Sequence, residues 1–329
     1  MDIKLNYSEG AEHDALLHRV DFRPIVSTPG PLSVDMGVVP FFEPTSLTML
    51  FGAFRLHSKL YPGQERRCAP SFFKSADIDV NRYVQRVNFF DCCSEFEKLK
   101  DGAFSRHDPA GRFVPITVVQ SMQDTDRMAQ QIVKVIFTQS GLKGEAELKY
   151  ALTELMDNSL QHAASPVGCV IQTQLYPSNF IEGVILDCGI GIRRHLSENR
   201  EIAGEVTTDE RAIEKALEPF VSGTHNNRPT SAERTRFDGL HNAGLGLSVC
   251  SKLMSQSGGF LQVVSGDASV KITAAGVEKS RIAGWPGTLV VFKIHNQKLA
   301  RISDIIKAFD LLKAKGHNLN EGPQDPLFI

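Results

Sequence analysis

Residues 145–163, EAELKYALTELMDNSLQHA, decide how the rest of the chain is read. Leu148, Ala151, Leu152, Leu155, Met156 and Ala163 recur at three- and four-residue steps, which predicts a helix from Glu145 to Ala163 with one apolar stripe. The other side carries Glu154, Asn158, Gln161 and His162. A face that meets only water usually carries Lys, Glu and Arg, whereas this one offers a carboxylate, two amides and an imidazole within two turns. Glu154 and Asn158 stand at i and i+4, so both side chains reach one side of a bound group. The carboxylate can orient or deprotonate a nucleophile, and the amide oxygen suits a hard cation such as magnesium. Taken alone, the pattern is equally that of a plain exposed helix with a few amides.

Downstream, the periodicity predicts strands at Gly168–Tyr176 and Ile181–Asp187, paired as a hairpin. The second ends on Asp187, followed by Cys188, Gly189, Ile190 and Gly191. Two glycines two apart let the backbone turn sharply and approach a flat or charged ligand, and an aspartate there can accept from an exocyclic amine. A strand-ending turn explains the same residues. A helix is expected at Asp209–Leu217, then a polar, irregular stretch at Ser222–Asp238 of the kind that forms functional loops. Asn242, Ala243, Gly244, Leu245, Gly246 and Leu247 lead from that loop into a helix at Leu245–Gln256. Glycines at a helix start expose backbone N–H groups to an anion such as phosphate. The phosphate-loop pattern GxxxxGK[ST] is absent, and no strand leads into GxGxxG. Strands are expected at Phe260–Val264, Val270–Ala274 and Thr288–Ile294, the last opened by Gly287-Thr288 after Trp285-Pro286, which reads equally as a turn or as a place where the Thr288 hydroxyl contacts a ligand. An amphipathic helix at Leu299–Lys315 closes the chain.

Upstream, Phe113–Val119 reads as a strand and Asp124–Gln139 as a helix. Before them, residues 101–112 hold Gly102, Asp108, Pro109 and Gly111 and read as a linker. The expected organisation is therefore an N-terminal unit at 1–112, a ligand-binding domain at 113–298 and a tail at 299–329. In the first unit a helix at Ala11–Val20, a strand at Leu32–Val39, a helix at Thr45–Ser58 and another at Asp79–Phe89 are expected.

The 329 residues are 42% hydrophobic, ample for a core, and 36 basic against 38 acidic residues leave a charge of -2. No bulk charge favours nucleic acid or an anionic membrane. No apolar run approaches the roughly 20 residues of a membrane span, and no basic-then-apolar leader pattern opens the sequence, so a cytoplasmic location is expected. Six cysteines show no CxxC pair, which argues for free thiols rather than a zinc site or disulfide framework.

ExxxN on a helix, DxGxG after a strand, GLGL into a helix and GT before a final strand, in that order, resemble the GHKL (Bergerat) ATPase superfamily. It includes gyrase-type topoisomerases, mismatch-repair ATPases, chaperones, histidine kinases and anti-sigma serine kinases. The resemblance covers about Phe113–Asn296 and implies an α+β fold, a Bergerat sandwich in which helices cover one face of a mixed sheet. It implies that ATP and Mg²⁺ bind, with Asn158 on the metal and Glu154 activating the attacking water or acceptor hydroxyl. Asp187 would accept from the adenine amine, with Gly189 and Gly191 shaping that pocket. Asn242, Gly244, Leu245 and Gly246 would hold phosphates, Thr288 would support the adenine side, and Ser222–Asp238 would be the lid. Arg193, Arg194, Arg228, Arg234 and Arg236 lie in or beside it. The run Glu154, Asn158, His162-Ala163 is similar to the ExxxNxxxHA run of anti-sigma-type serine kinases, and His162 is read as a core or capping histidine. Residues 34–54 resemble STAS domains of anti-sigma antagonists, which implies a smaller α/β regulatory domain at 1–112, with Thr45 or Ser46 as phosphoacceptor or helix cap. The expected partners are ATP and a regulatory protein, with no nucleic acid and no membrane; homodimerisation is open. The implied activity is ATP hydrolysis or transfer of the γ-phosphoryl group to a protein Ser or Thr; the alternative is a catalytically slow ATP-gated interaction switch.

Overall fold

The computed structural model describes residues 1–4, 13–35, 42–68, 78–97, 100, 112–137, 144–219, 221, 245–295 and 298–314. The N-terminal part runs β1 (Asp2–Lys4), α1 (His13–Arg19), α2 (Pro24–Ser27), β2 (Leu32–Asp35), α3 (Pro44–Leu60), β3 (Arg66–Cys68), α4 (Ile78–Arg86), a 3₁₀ turn at Phe89–Cys92 and α5 (Ser94–Glu97). The chain continues with β4 (Phe113–Val119), α6 (Met122–Phe137), α7 (Glu145–Gln161), β5 (Cys169–Leu175), β6 (Phe180–Leu186), α8 (Gly191–Ser197) and α9 (Asp209–Leu217). Last come α10 (Gly246–Gln256), β7 (Phe260–Thr273), β8 (Gly276–His295) and α11 (Ile302–Ala314).

Two sheets result. The small one is parallel, in the order β1-β2-β3, and the large one runs β4-β5-β6-β8-β7. Every neighbouring pair of the large sheet is antiparallel, where a mixed sheet was expected. The three strands of the small sheet pair in parallel, and a single parallel bridge joins Asp21 to Gly284 of β8. The expected 168–176 and 181–187 hairpin forms as β5 and β6, with Val170 opposite Leu186.

One face of the large sheet packs on α6, α7 and α10, whose Ile132, Leu152, Leu155 and Val249 join Ile171, Ile185 and Phe292 of the strands in one buried cluster. The other face is covered too, by α3. Leu47, Leu50, Phe51 and Phe54 share a second cluster with Val170, Val184, Leu186 and Val291. Burying one such side chain is worth about 1.5–3 kcal/mol, so this contact is a major part of the core. The helices that follow β4 thus cover one face of the sheet, as expected, and the other face is covered by α3 of the N-terminal part. A helix buried all round, as α3 is between the sheet and the N-terminal helices, carries apolar residues on every side.

Polar contacts register the N-terminal part on the sheet. His13 Nδ1 pairs with Glu43 at 2.7 Å and its Nε2 with the Gln262 side-chain oxygen at 3.2 Å. Gln262 Nε2 donates to Asp14 at 2.9 Å and to Ser269 at 3.0 Å. Burial opposes charge on His13, but Glu43, Asp14 and Gln262 outweigh it and raise its pKa. Within α3, Thr48 donates to Gln172 of β5 at 2.7 Å. Thr45 and Ser46 lie in the first turn of α3, fully buried, and the capping position is Glu43, which makes no side-chain cap bond. Neither residue caps the helix, and neither is presented to a kinase.

The final strands differ from expectation. The strands expected at Phe260–Val264 and Val270–Ala274 are one strand, β7, that ends at Thr273, and β8 starts at Gly276 rather than Thr288. The supposed turn at Trp285-Pro286 lies inside β8, where Gly266 faces Trp285 and Ser265 faces Thr288. Pro286 and Gly287 are thus extra residues, a bulge that tolerates a proline without a ladder N–H.

Candidate functional site

The two-faced helix does what its pattern predicts. Leu148, Ala151, Leu152, Leu155 and Met156 of α7 are buried, while Asn158 and Gln161 are exposed and Glu154 is half-buried. That polar face is one wall of an open cavity of about 1170 Å³, its mouth included. Glu154, Asn158, Asp187, Gly191, Leu245, Gly246 and Thr288 all line it. They come from α7, the end of β6 and the start of α8 just after it, the start of α10 and the bulged part of β8, segments that only the fold brings together. Gly189 does not line the cavity; its N–H instead holds the Asp187 carboxylate. Asn242, Gly244 and the expected lid at 222–238, with Arg228, Arg234 and Arg236, lie outside the described residues. Arg193 and Arg194 are exposed on α8 and are not part of the cavity wall.

Asp187, one residue beyond β6 and 1% exposed, is part of the cavity lining. Its Oδ1 accepts from the backbone N–H of Gly189 at 3.0 Å and of Thr288 at 3.1 Å. Burial pushes its pKa up to about 7 despite these donors. A carboxylate so enclosed gains from any further donor that reaches it from the cavity. Gly287 makes the enclosure possible: its φ is +96°, and a Cβ there would stand 2.5 Å from Asp187 Oδ1 and from the Gly189 nitrogen. Val263, Val290, Ile192 and Leu196 add apolar surface nearby, suited to a flat ring.

The start of α10 forms another part of the lining. Its capping residue, Leu245, offers no side-chain acceptor, and Leu245, Gly246 and Leu247 face the cavity. An α-helix start of this kind favours an anion through its free N–H groups and dipole. Glu154 lies against it: a Cβ on Gly246 would run into the Glu154 carboxylate. Glycine here is a requirement of close approach.

Sequence reasoning missed His195. It lies on α8, a seven-residue helix too short for periodicity to reveal, though Ile192, His195 and Leu196 do fall at helical spacing. Its ring stacks on His162 with centroids 4.4 Å apart and planes at 27°. Both rings line the cavity. Burial, then the neighbouring His195, lowers His162 to about 4, and burial lowers His195. Burial thus favours the neutral form of both rings. His162 is also the C-capping residue of α7, its backbone N–H donating to the Asn158 backbone oxygen at 3.2 Å. Two more residues behind the wall, Ser265 and Trp285, carried no motif and were not anticipated.

Among the described residues no three His, Cys, Asp or Glu side chains converge on a metal position. No helix among them is long and apolar enough to cross a membrane. All six cysteines are free thiols. Residues 143–297 match the family described as histidine kinase-, DNA gyrase B-, and HSP90-like ATPase. No curated protein and no solved structure matches the chain.

Proposed function

We propose, on the premise that residues 143–297 are a domain of the histidine kinase-, DNA gyrase B- and HSP90-like ATPase family, that the chain is a cytoplasmic, Mg-dependent regulatory protein. It hydrolyses ATP or passes the γ-phosphoryl group to a protein Ser or Thr. The observation that carries this reading is the convergence of Glu154, Asn158, Asp187 and the open start of α10 on one cavity. Asp187 accepts from the adenine amine, and the α10 N–H groups take phosphate oxygens. Asn158 offers one amide oxygen to Mg²⁺, which commonly binds through few protein ligands, phosphate oxygens and water. When bound, the metal neutralises phosphate charge. Glu154, one turn before Asn158 and against Gly246, is placed to orient or deprotonate the attacking oxygen. A passive switch has no need of a base at that position, which favours turnover over ATP-gated binding alone. Thr45 and Ser46 are buried, so the acceptor is water or a hydroxyl of a regulatory partner. Residues 1–112 act as the regulatory unit through α3, which lies on the back of the sheet.

The test follows γ-labelled ATP and Mg²⁺ on the purified chain beside Glu154→Ala. Label released as phosphate, or left on protein, in the wild type but not the variant supports the reading and separates hydrolase from kinase. If both bind ATP and neither moves the label with candidate partners added, catalysis is wrong and the chain is an ATP-gated switch.

A further inference from the structure

Trp285 is the single tryptophan of the chain, buried on β8 and absent from the cavity wall. Its indole Nε1 donates to the backbone oxygen of Asp187 at 3.1 Å. The bulge at Pro286-Gly287 aims it there, as bulges beside functional sites commonly re-aim a side chain. Ser265, opposite the bulge, donates to the Gly287 oxygen at 2.9 Å and accepts from the Ile192 N–H at 3.0 Å. The Asp187 carboxylate takes its position from the Gly189 and Thr288 N–H groups, and those in turn from this framework.

The other side of the indole belongs to the N-terminal part. The Phe22 ring meets Trp285 edge-on, centroids 5.3 Å apart. The Phe22 N–H donates to the Gly284 oxygen at 2.9 Å, and Arg23 donates to the Ala283 oxygen at 2.8 Å. Gly52 of α3 lies beside the far edge of the indole. One ring is therefore gripped by residues 22–23 and by α3, and its only N–H holds the backbone of the residue that faces the base.

We propose that Trp285 is a positioning residue for base recognition, through which the segment around Phe22 sets the affinity of the cavity for adenine. The inference rests on the reading of Asp187 as the acceptor for the adenine amine. Trp285→Phe keeps a ring against Phe22 and deletes the N–H, leaving the Asp187 carbonyl without that donor. The Asp187 carboxylate then loses its fixed placement, while the phosphate end at α10 is untouched.

The test is calorimetric titration of Mg·ATP and Mg·ITP, whose base carries a carbonyl in place of the amine, into wild type, Trp285→Phe and Phe22→Leu, with the melting temperature of each. The wild type should favour ATP. Trp285→Phe should weaken ATP about fivefold, the effect of one net hydrogen bond, with ITP unchanged; Phe22→Leu should shift the ratio the same way by less. A purely structural role would lower the melting temperature and leave the ATP-to-ITP ratio at its wild-type value in both variants, which overturns the proposal. Should Trp285→Phe not fold, Phe22→Leu decides by the same ratio. Equal binding of ATP and ITP by the wild type is a different failure: it removes the Asp187 reading, and the proposal with it.

Discussion

Asp187→Asn isolates the electrostatic cost of building the cavity. The carboxyl is 1% exposed and burial lifts its pKa from an ordinary 3.8 to about 7. A tenfold change in acidity corresponds to about 1.4 kcal/mol between the two protonation states, so an ionised Asp187 costs the fold on the order of 4 kcal/mol. The sign follows from the direction. A group whose folded pKa is raised contributes stability that is fully present below the unfolded value, near 4, and lost as pH rises through the folded value, near 7. The asparagine of the variant can keep its oxygen on the Gly189 and Thr288 N–H groups, and it cannot ionise. Wild-type stability, measured by urea unfolding from pH 4.5 to 8, should therefore fall relative to the variant across pH 4.5–7, with a slope approaching 1.4 kcal/mol per pH unit. Above pH 7 the difference should be flat. His13, with its raised pKa, and His162, with its lowered one, titrate in both proteins, so their contributions cancel in the difference. Curves that run parallel over the whole range would show that Asp187 ionises freely in the folded chain, and the enclosed-carboxylate account would be wrong.

Further outcomes follow from the same geometry. Gly246→Ala should leave α10 intact, since alanine favours helix over glycine by about 1 kcal/mol, yet push the Glu154 carboxylate away; turnover of ATP should drop by about 10²-fold or more, the scale of a displaced general base, and unchanged kcat would remove Glu154 from that role. Gly287→Ala places a side chain at a φ of +96° against Asp187 and Gly189, so ATP affinity by calorimetry should fall together with stability, and a variant that binds ATP normally contradicts the packing. Phe54→Ala empties a fully buried position on α3 and should cost about 3–5 kcal/mol in urea unfolding; a loss below about 1 kcal/mol would mean that α3 is not part of the sheet's core.

The parts of the fold that repeat a local pattern were legible. The stripe Leu148–Met156 placed α7 and both of its faces, and β4 and α9 fall where periodicity puts them. Asp187 and the start of α10 were readable because their glycines mark backbone that a ligand can approach. Three things were not. Gly276, Gly284, Pro286 and Gly287 are turn residues, so a single long hairpin, 260–295, read as separate strands; the long pairing of β7 with β8 overrides their local preference. The seven residues of α8 are fewer than two helical turns of pattern, so His195 went unseen. The burial of α3 against the back of the sheet, and the Trp285 bond to Asp187 across 98 residues, are tertiary contacts that leave no spacing in the sequence.

The central claim is that one cavity reads adenine at Asp187. The most direct measurement is a calorimetric titration of Mg·ATP into the wild type and Asp187→Asn at pH 8. The amide preserves shape but turns a donor toward the adenine amine. One ATP should bind per wild-type chain, and the folded variant should bind at least about tenfold more weakly, as expected when a buried acceptor is replaced by a donor. Equal affinity, or no binding by the wild type, would contradict the account.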